Sequence, residues 1–210
     1  MSIHHYQLLS SPEDTRLTSP AMVTLGVGVT SLVLLGCLFN DYLLNYPQDT
    51  QFQIESAAVS GLNVSSDLSY LSGTWDITLL VTNPNHKGTV TCNSLQASLY
   101  KTYQPWLATN DAPPFFVDTA NNTRVNLKFG LVSRYIGHEV ADEISQGIAT
   151  RGTVSFGLMM EVRFTYRTKI WDKWDGQDSG LLELQCHPIQ FRFSPNNNTF
   201  TANSTICREG

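Results

Sequence analysis

One segment of the chain alternates apolar and polar residues over an unusual length. Its apolar members occupy every second position from residue 154 to 166: Val154, Phe156, Leu158, Met160, Val162, Phe164 and Tyr166. Successive side chains of a β-strand point to opposite faces of the sheet, so this period of two predicts a long strand with one buried face. Because similar alternation recurs along most of the chain after Phe52, the sequence predicts a mainly β fold.

Shorter segments with strand patterns precede and follow this one. They are Phe52–Ser65, Thr74–Thr82, Leu95–Leu99, Arg124–Val132, Leu181–Cys186 and Ile189–Phe193. The alternating apolar residues occupy even-numbered positions in Leu181–Cys186 and odd-numbered positions in Ile189–Phe193. This shift predicts a β-bulge near His187-Pro188. One helix is predicted within Gly137–Gly152, where Val140, Ile144 and Ile148 recur every four residues. Six to eight strands with one short helix predict an antiparallel β-sandwich of two sheets.

The second strand ends in an unusual tripeptide, Asn83-Pro84-Asn85. Asn83 falls on the apolar parity of Trp75, Ile77, Leu79 and Val81, and it therefore faces the predicted core. Pro84 cannot donate to a ladder and favours an extended backbone at Asn83. We expect the Asn83 amide to bond to nearby backbone groups, in the manner of an Asx-turn.

An uncharged apolar segment precedes the predicted domain. Ala21–Phe39 contains no charged residue, and about 20 apolar residues are enough to span a bilayer. The sequence predicts a cytoplasmic tail (1–20), a transmembrane signal-anchor helix (21–43) and an extracellular domain (44–210). Arg16 is the only Lys or Arg before the span, which favours a cytoplasmic N-terminus. The alternative is a buried core helix; Cys37, near the end of the span, is either an apolar residue or a palmitoylation site.

The composition and motifs favour a non-enzymatic protein without a cofactor. A net charge of −5 argues against nucleic-acid binding. His138 and Asp142 could share a helix face, but no second ligand pair has metal spacing. A Cys92–His86 nucleophile pair is conceivable, yet nothing marks a third orienting group. We therefore predict no catalytic, cofactor-binding or metal-binding residue.

Several residues after the span suit an extracellular domain. Four asparagines stand in glycosylation motifs: Asn63, Asn121, Asn197 and Asn203. A disulfide between Cys186 and Cys207 would staple a loop rich in Asn, Thr and Ser, worth roughly 3 kcal/mol, and would leave Cys92 as a buried thiol. Trp171 and Trp174, within Ile170–Gly180, either form a recognition loop for a partner or cap the sandwich edge.

Taken in order, these segments resemble the plant NDR/HIN-like membrane proteins, whose outer part is a late-embryogenesis-abundant group 2 (water-stress-and-hypersensitive-response) domain. The resemblance runs from about Phe52 to Cys207 and rests most on "TWDITLLVTNPN", with "PPFF" (Pro113–Phe116), "ADEISQG", "EVRFTYRTKIW" and the two C-terminal cysteines. The segment "HKGTVTCN" after Asn85 and the acidic "WDKWDGQDSG" depart from that family's usual pattern.

This resemblance implies a fibronectin-III-like sandwich at the plasma membrane and no catalysis. It implies an interaction or adhesion module in plant defence and stress signalling, with protein partners at the cell surface or in the cell wall and with homo-oligomers. An alternative from the long apolar face of Val154–Tyr166 is a tethered domain that binds or transfers a lipid or another apolar ligand.

Overall fold

The chain divides into two compact units, Met1–Tyr46 and Pro47–Gly210. The computed structural model describes residues 27–38, 48–65, 69–101, 106–170, 173–194 and 199–210. In the first unit, residues 27–38 form a helix (α1) whose apolar side chains, such as Val27, Leu32 and Leu38, are exposed. No helix within the described ranges is both long and apolar enough to cross a membrane. The predicted tail (1–20) and the remainder of the predicted span lie outside the described residues.

The described part of the second unit consists of eleven strands and one helix. The strands are β1 (Gln51–Val64), β2 (Tyr70–Asn83), β3 (Gly88–Tyr100), β4 (Ala108–Ala112), β5 (Phe115–Val117), β6 (Asn121–Tyr135), β7 (Thr153–Ile170), β8 (Lys173–Ser194), β9 (Thr199–Ala202), β10 (Thr205–Ile206) and β11 (Arg208–Glu209). The helix, α2 (His138–Arg151), connects β6 to β7. The prediction of a mainly β domain with one short helix is confirmed for this unit.

All the described strand pairs are antiparallel, and they form one continuous sheet. Its order is β4-β3-β7-β8-β9-β1-β2-β6, with β5 beside β3, β10 beside β1 and β11 beside β8. The sheet curls until its end strands meet: β4 contacts β6, and the Asn110 side-chain amide donates to the Lys128 carbonyl. The architecture is therefore a nearly closed barrel rather than the two separate sheets that we predicted. Alternation identifies a buried face, but two facing sheets and one curled sheet bury that face equally.

The alternating apolar residues line the inside of this curled sheet. Val154, Phe156, Leu158, Met160 and Val162 are buried, as predicted, whereas Phe164 and Tyr166 are half-buried towards one end of the strand. Trp75 packs edge-on against Phe156 with ring centroids 5.2 Å apart, and Phe156 packs in turn against Phe191 at 5.9 Å. Such edge-to-face contacts add to the area that the rings bury.

The predicted bulge and helix are both present. Phe156 pairs with Ile189 and Leu158 pairs with Cys186, so β8 has one extra residue at His187-Pro188. This insertion keeps both apolar parities of β8 on the inside of the sheet. Helix α2 buries Val140 and Ile144 and ends at Gly152, whose positive φ of 62° suits a left-handed helix cap.

Candidate functional site

The Asn83-Pro84-Asn85 corner buries an amide whose hydrogen-bonding groups are all used. Asn83 has no solvent exposure. Its Nδ2 donates to the carbonyls of Gly88, at 2.7 Å, and Asp118, at 3.0 Å. Its Oδ1 accepts from the backbone N–H of Asn85 at 3.1 Å and from the Asn85 side-chain amide at 2.9 Å. The first of these two bonds is the predicted Asx-turn.

Asn85 binds the beginning of the second unit to this corner. Its Oδ1 accepts from the Gln48 N–H at 2.7 Å, and its Nδ2 donates to the Gln48 carbonyl at 2.7 Å. The backbone carbonyl of Asn85 also accepts from the Ala120 N–H at 2.9 Å. The two asparagines thus join three segments that lie far apart in the sequence: the chain before β1, the β2–β3 turn and the β5–β6 turn.

Close packing next to the corner explains why residue 88 is a glycine. Gly88, the first residue of β3, pairs with Thr168 of β7 and is buried. The ring of Tyr166 occupies the space that a Cβ at Gly88 would need. The β2–β3 turn is therefore shaped by hydrogen bonds at Asn83 and Asn85 and by steric fit at Gly88.

A closing segment, residues 199–209, fills the space between β8 and β1. Its first part, β9, pairs with both neighbours; further along, β10 pairs only with β1 and β11 only with β8. The predicted disulfide is present, linking Cys207 of this segment to Cys186 of β8. The Cys207 N–H also donates to the Phe52 carbonyl at 3.0 Å. Cys207 therefore connects the closing segment covalently to β8 and by a hydrogen bond to β1.

Three of the four predicted glycosylation asparagines are on exposed positions. Asn63 lies near the end of β1, Asn121 at the start of β6 and Asn203 between β9 and β10, all with exposed side chains. Asn197 lies outside the described residues. The three described positions are thus accessible to a modifying enzyme, and whether they are modified stays a prediction.

The three histidines within the described ranges are exposed, and each belongs to a different part of the fold. His138 lies 3.2 Å, measured at Nδ1, from the Ser69 Oγ, and His187 stacks on Tyr100. His86 is exposed on the β2–β3 turn. In the ranges that the structure describes, no cluster of three His, Cys, Asp or Glu side chains could hold a metal ion.

Cys92 is a buried thiol, as predicted. Burial raises its pKa to about 11, and a backbone hydrogen bond of Ser94 acts in the opposite direction. The protonated thiol donates to the Ser94 carbonyl at 3.4 Å. The thiolate is the nucleophilic form, so a thiol with this pKa is a weak nucleophile near neutral pH. The arrangement gives no support to the Cys92–His86 pair considered from the sequence.

The Trp171 and Trp174 segment differs from the predicted loop. Strand β8 begins at Lys173, so the backbone of residues 173–180 belongs to a long β7–β8 hairpin instead of a loop. Trp171 and the side chain of Trp174 lie outside what the structure describes. Gly and Asp suggested a turn here, but pairing with the alternating β7 strand outweighs those local preferences.

The sequence interpretation missed a buried charge at the end of β3. Lys101 is 2% exposed and forms an ion pair with Glu143 of α2, with Nζ and Oε1 2.7 Å apart. The available signal was parity, since Lys101 continues the inward positions Leu95, Ala97 and Leu99. Its partner could not be read from the sequence, because Glu143 belongs to a helix that follows three further strands.

The fold and the Asn83–Asn85 corner together define a nearly closed antiparallel β-domain. Its N-terminal segment is hydrogen-bonded to a buried pair of asparagines. No family model matches the chain, and no curated protein matches it. A crystal structure of a protein from Archaeoglobus fulgidus is similar over 63% of this chain and 94% of its own, at 17% identity and a TM-score of 0.25. The solution structure of a putative late embryogenesis abundant protein is similar over 86% of this chain and 94% of its own, at 13% identity and a TM-score of 0.26.

Proposed function

We propose that this protein is a non-enzymatic, single-pass plasma-membrane protein whose β-domain binds protein partners outside the cell, in plant defence and stress signalling. Its N-terminus would be cytoplasmic and its second unit extracellular, as the NDR/HIN-like resemblance implies. The late-embryogenesis-abundant character of the β-domain, the cell-wall contact and the homo-oligomer are parts of the same proposal.

The observation that carries the proposal is the apolar segment Ala21–Phe39 with its described helix. Helix α1 has apolar side chains on every face, and those of Val29, Leu34 and Leu35 are exposed to more than half of their full area. A helix that is apolar all round is suited to lipid or to a protein core. No charged residue interrupts the segment over the length that a bilayer requires.

Features of the second unit support an extracellular location. Disulfides persist in oxidising compartments and are rare in the cytosol, and Cys186–Cys207 stabilises the closing segment. Three exposed sequons lie on the same unit. Double hydrogen bonding between Asn85 and Gln48 would fix the point at which a membrane tether joins the domain.

The topology is tested by protease protection of the full chain, tagged at its C-terminus, in sealed microsomes. We expect the tag and the β-domain to survive protease until detergent opens the vesicles. Asn63→Gln, Asn121→Gln and Asn203→Gln should each remove an endoglycosidase-sensitive mobility shift, whereas Asn126→Gln, at an exposed asparagine outside any sequon, should not. Digestion of the β-domain in intact vesicles would refute the proposed topology.

A second candidate function, binding of an apolar ligand, is favoured by a groove at the start of the second unit. This groove, with a volume of about 390 Å³, lies between the first residues of β1 and the closing segment. Its apolar lining includes Phe52, Leu182, Leu184 and Ile206. Native mass spectrometry of the full chain released from detergent should detect a bound lipid, and Leu184→Gln should abolish it. Absence of any adduct would count against this candidate.

A further inference from the structure

A second pocket, separate from the Asn83–Asn85 corner, lies where α2 packs on the sheet. Its volume is about 340 Å³, within the range of small-molecule sites. Residues from four parts of the fold line it: Lys101 after β3, Glu143, Gly147 and Arg151 of α2, Thr153, Val154 and Ser155 of β7, and Pro188 and Gln190 of β8. Six of these nine residues carry side-chain groups that form hydrogen bonds.

Lys101 places an ammonium group deep in this pocket. Its side chain is 3% exposed, and its Nζ donates to Glu143 Oε1 at 2.7 Å and to the Ser155 Oγ at 3.3 Å. An ammonium has three N–H donors, so these contacts leave one donor for a ligand. The side chain of Glu143 is about half exposed, and solvent therefore screens its charge.

Arg151 adds a second cation to the same pocket. One of its guanidinium nitrogens, Nη2, lies 3.6 Å from the position that a Cβ on Gly147 would occupy, so the side chain folds back along α2. No described residue forms an ion pair or a hydrogen bond with this guanidinium, so none of them competes with a ligand for its five N–H donors. Guanidinium groups match carboxylate and phosphate oxygens in two-point hydrogen bonds.

Hydrogen-bond acceptors and a third cation lie next to Lys101 and Arg151. Gln190 pairs in register with Ser155, and Arg192 pairs with Thr153, so Arg192 lies beside the rim. The net charge of the residues that line the pocket is +1, from Lys101, Arg151 and Glu143. The Glu143 carboxylate and the Gln190 amide oxygen can accept hydrogen bonds from hydroxyl groups.

We propose that this pocket binds a small anionic polyol, a sugar that carries a carboxylate or a phosphate group. The oxyanion lies between Lys101 and Arg151, and the hydroxyl groups donate to Glu143 and Gln190. The proposal is independent of the membrane topology, since every group it uses belongs to the β-domain.

The test is isothermal titration calorimetry on the full chain in detergent micelles, with glucuronate, glucose 6-phosphate, glucose and inorganic phosphate as probes. We expect at least one sugar anion to bind, and to bind at least tenfold more tightly than glucose or inorganic phosphate. Arg151→Gln should weaken this binding tenfold or more, because it removes a charge-assisted contact. Arg167→Gln, at an exposed arginine on the outside of β7, should leave it unchanged.

The two sugar anions distinguish the two possible acidic groups of the ligand. Preference for glucuronate identifies a carboxylate ligand, and preference for glucose 6-phosphate identifies a phosphate ligand.

Lys101→Met provides a second variant that keeps an apolar stem in the pocket. Its folding is checked by circular dichroism, and it should also lose binding. The proposal is overturned if neither sugar anion binds at millimolar concentration, if glucose or inorganic phosphate binds as tightly, or if Arg151→Gln binds like the unmodified protein.

Discussion

Asn83 is a polar residue that is buried without an unsatisfied group. Its side chain accepts two hydrogen bonds and donates two, and three of the four involve backbone groups. Buried backbone groups that lose a partner destabilise a protein more than the net gain of a typical hydrogen bond. The amide therefore stabilises the corner by satisfying backbone groups of Asn85, Gly88 and Asp118.

Replacing this amide by an apolar group of similar size tests that role. We expect Asn83→Leu to lower the free energy of unfolding by about 1–3 kcal/mol, because the Gly88 and Asp118 carbonyls and the Asn85 N–H lose their partners. Urea unfolding of the full chain in micelles, followed by tryptophan fluorescence, measures the change. Asn122→Leu is the matched control: Asn122 is exposed on β6, and its replacement should change the free energy by less than about 0.5 kcal/mol. Equal stability of Asn83→Leu and the unmodified protein would contradict this role.

The Cys92 thiol yields a prediction about pH. Burial raises its pKa to about 11, so the folded protein keeps the thiol protonated at pH values where an unfolded chain begins to ionise. Iodoacetamide should leave Cys92 unmodified in the folded protein at pH 8 and modify it rapidly at the same pH in 8 M urea. Between pH 8 and pH 10 the rate in the folded protein should rise with the thiolate fraction. Mass spectrometry of the peptide that contains Cys92 follows the reaction. Labelling of the folded protein at the rate seen in urea would refute the burial described.

The raised pKa of Cys92 also determines how the free energy of unfolding changes with pH. Because the folded state holds the proton more tightly than the unfolded state, the contribution of Cys92 is fully present below pH 9 and is lost as the pH rises towards 11. Replacing Cys92 with Val should remove this part of the alkaline loss. A Cys92→Val protein whose stability falls as steeply as that of the unmodified protein over this range would contradict the assignment.

For single residues, the alternation of inward and outward positions along a strand predicts which side chains are buried. Asn83 was assigned to the core because it follows four inward residues of its strand, and Lys101 lies on the same kind of position in β3. Their partners were not predictable: the bond from Gln48 to Asn85 spans 37 residues, and only the folded topology brings them together. The position in the strand thus identifies a buried polar residue, whereas the folded topology determines which groups form hydrogen bonds or ion pairs with it.

Among the elements, the closing segment completes the sheet by joining β8 to β1. It provides the described pairing between β8 and β1, and its residues Phe200 and Cys207 are buried. Its composition, rich in Asn, Thr and Ser, gives weak local preference for a strand. The disulfide to Cys186 compensates for that weakness.

Removing the disulfide should therefore loosen this element before the rest of the domain. We expect the double variant Cys186→Ala, Cys207→Ala to lose roughly 3 kcal/mol of unfolding free energy. Hydrogen exchange should accelerate most at the backbone amides of β9–β11 and least in the β2–β6 pair. Uniform acceleration across all strands, or an unchanged urea midpoint, would contradict this ordering.

The strands themselves were predictable where alternation was long, and less so where pairing overrides local preference. Val154–Tyr166, the α2 helix and the His187-Pro188 bulge follow from periodicity alone. Residues 173–180 and 199–209 are polar and rich in turn-forming residues, and they become strands because long neighbours offer them hydrogen bonds. Which strands pair, and hence whether one sheet or two results, depends on contacts between residues far apart in sequence.

For the molecule as a whole, the sheet order separates neighbours in space by long stretches of chain. β1 lies between β2, which follows it directly, and the closing segment, which begins 135 residues after the end of β1. Contacts of such sequence separation slow folding, because the chain must close a long loop before they form. A nascent chain that has emerged as far as Ser194 carries most of its strands and still has an open seam beside β1. The order of synthesis therefore makes closure of the barrel a late event, and a ribosome that stalls before residue 199 would release a domain with apolar residues of β1 and β8 exposed to chaperones and to other unfinished chains.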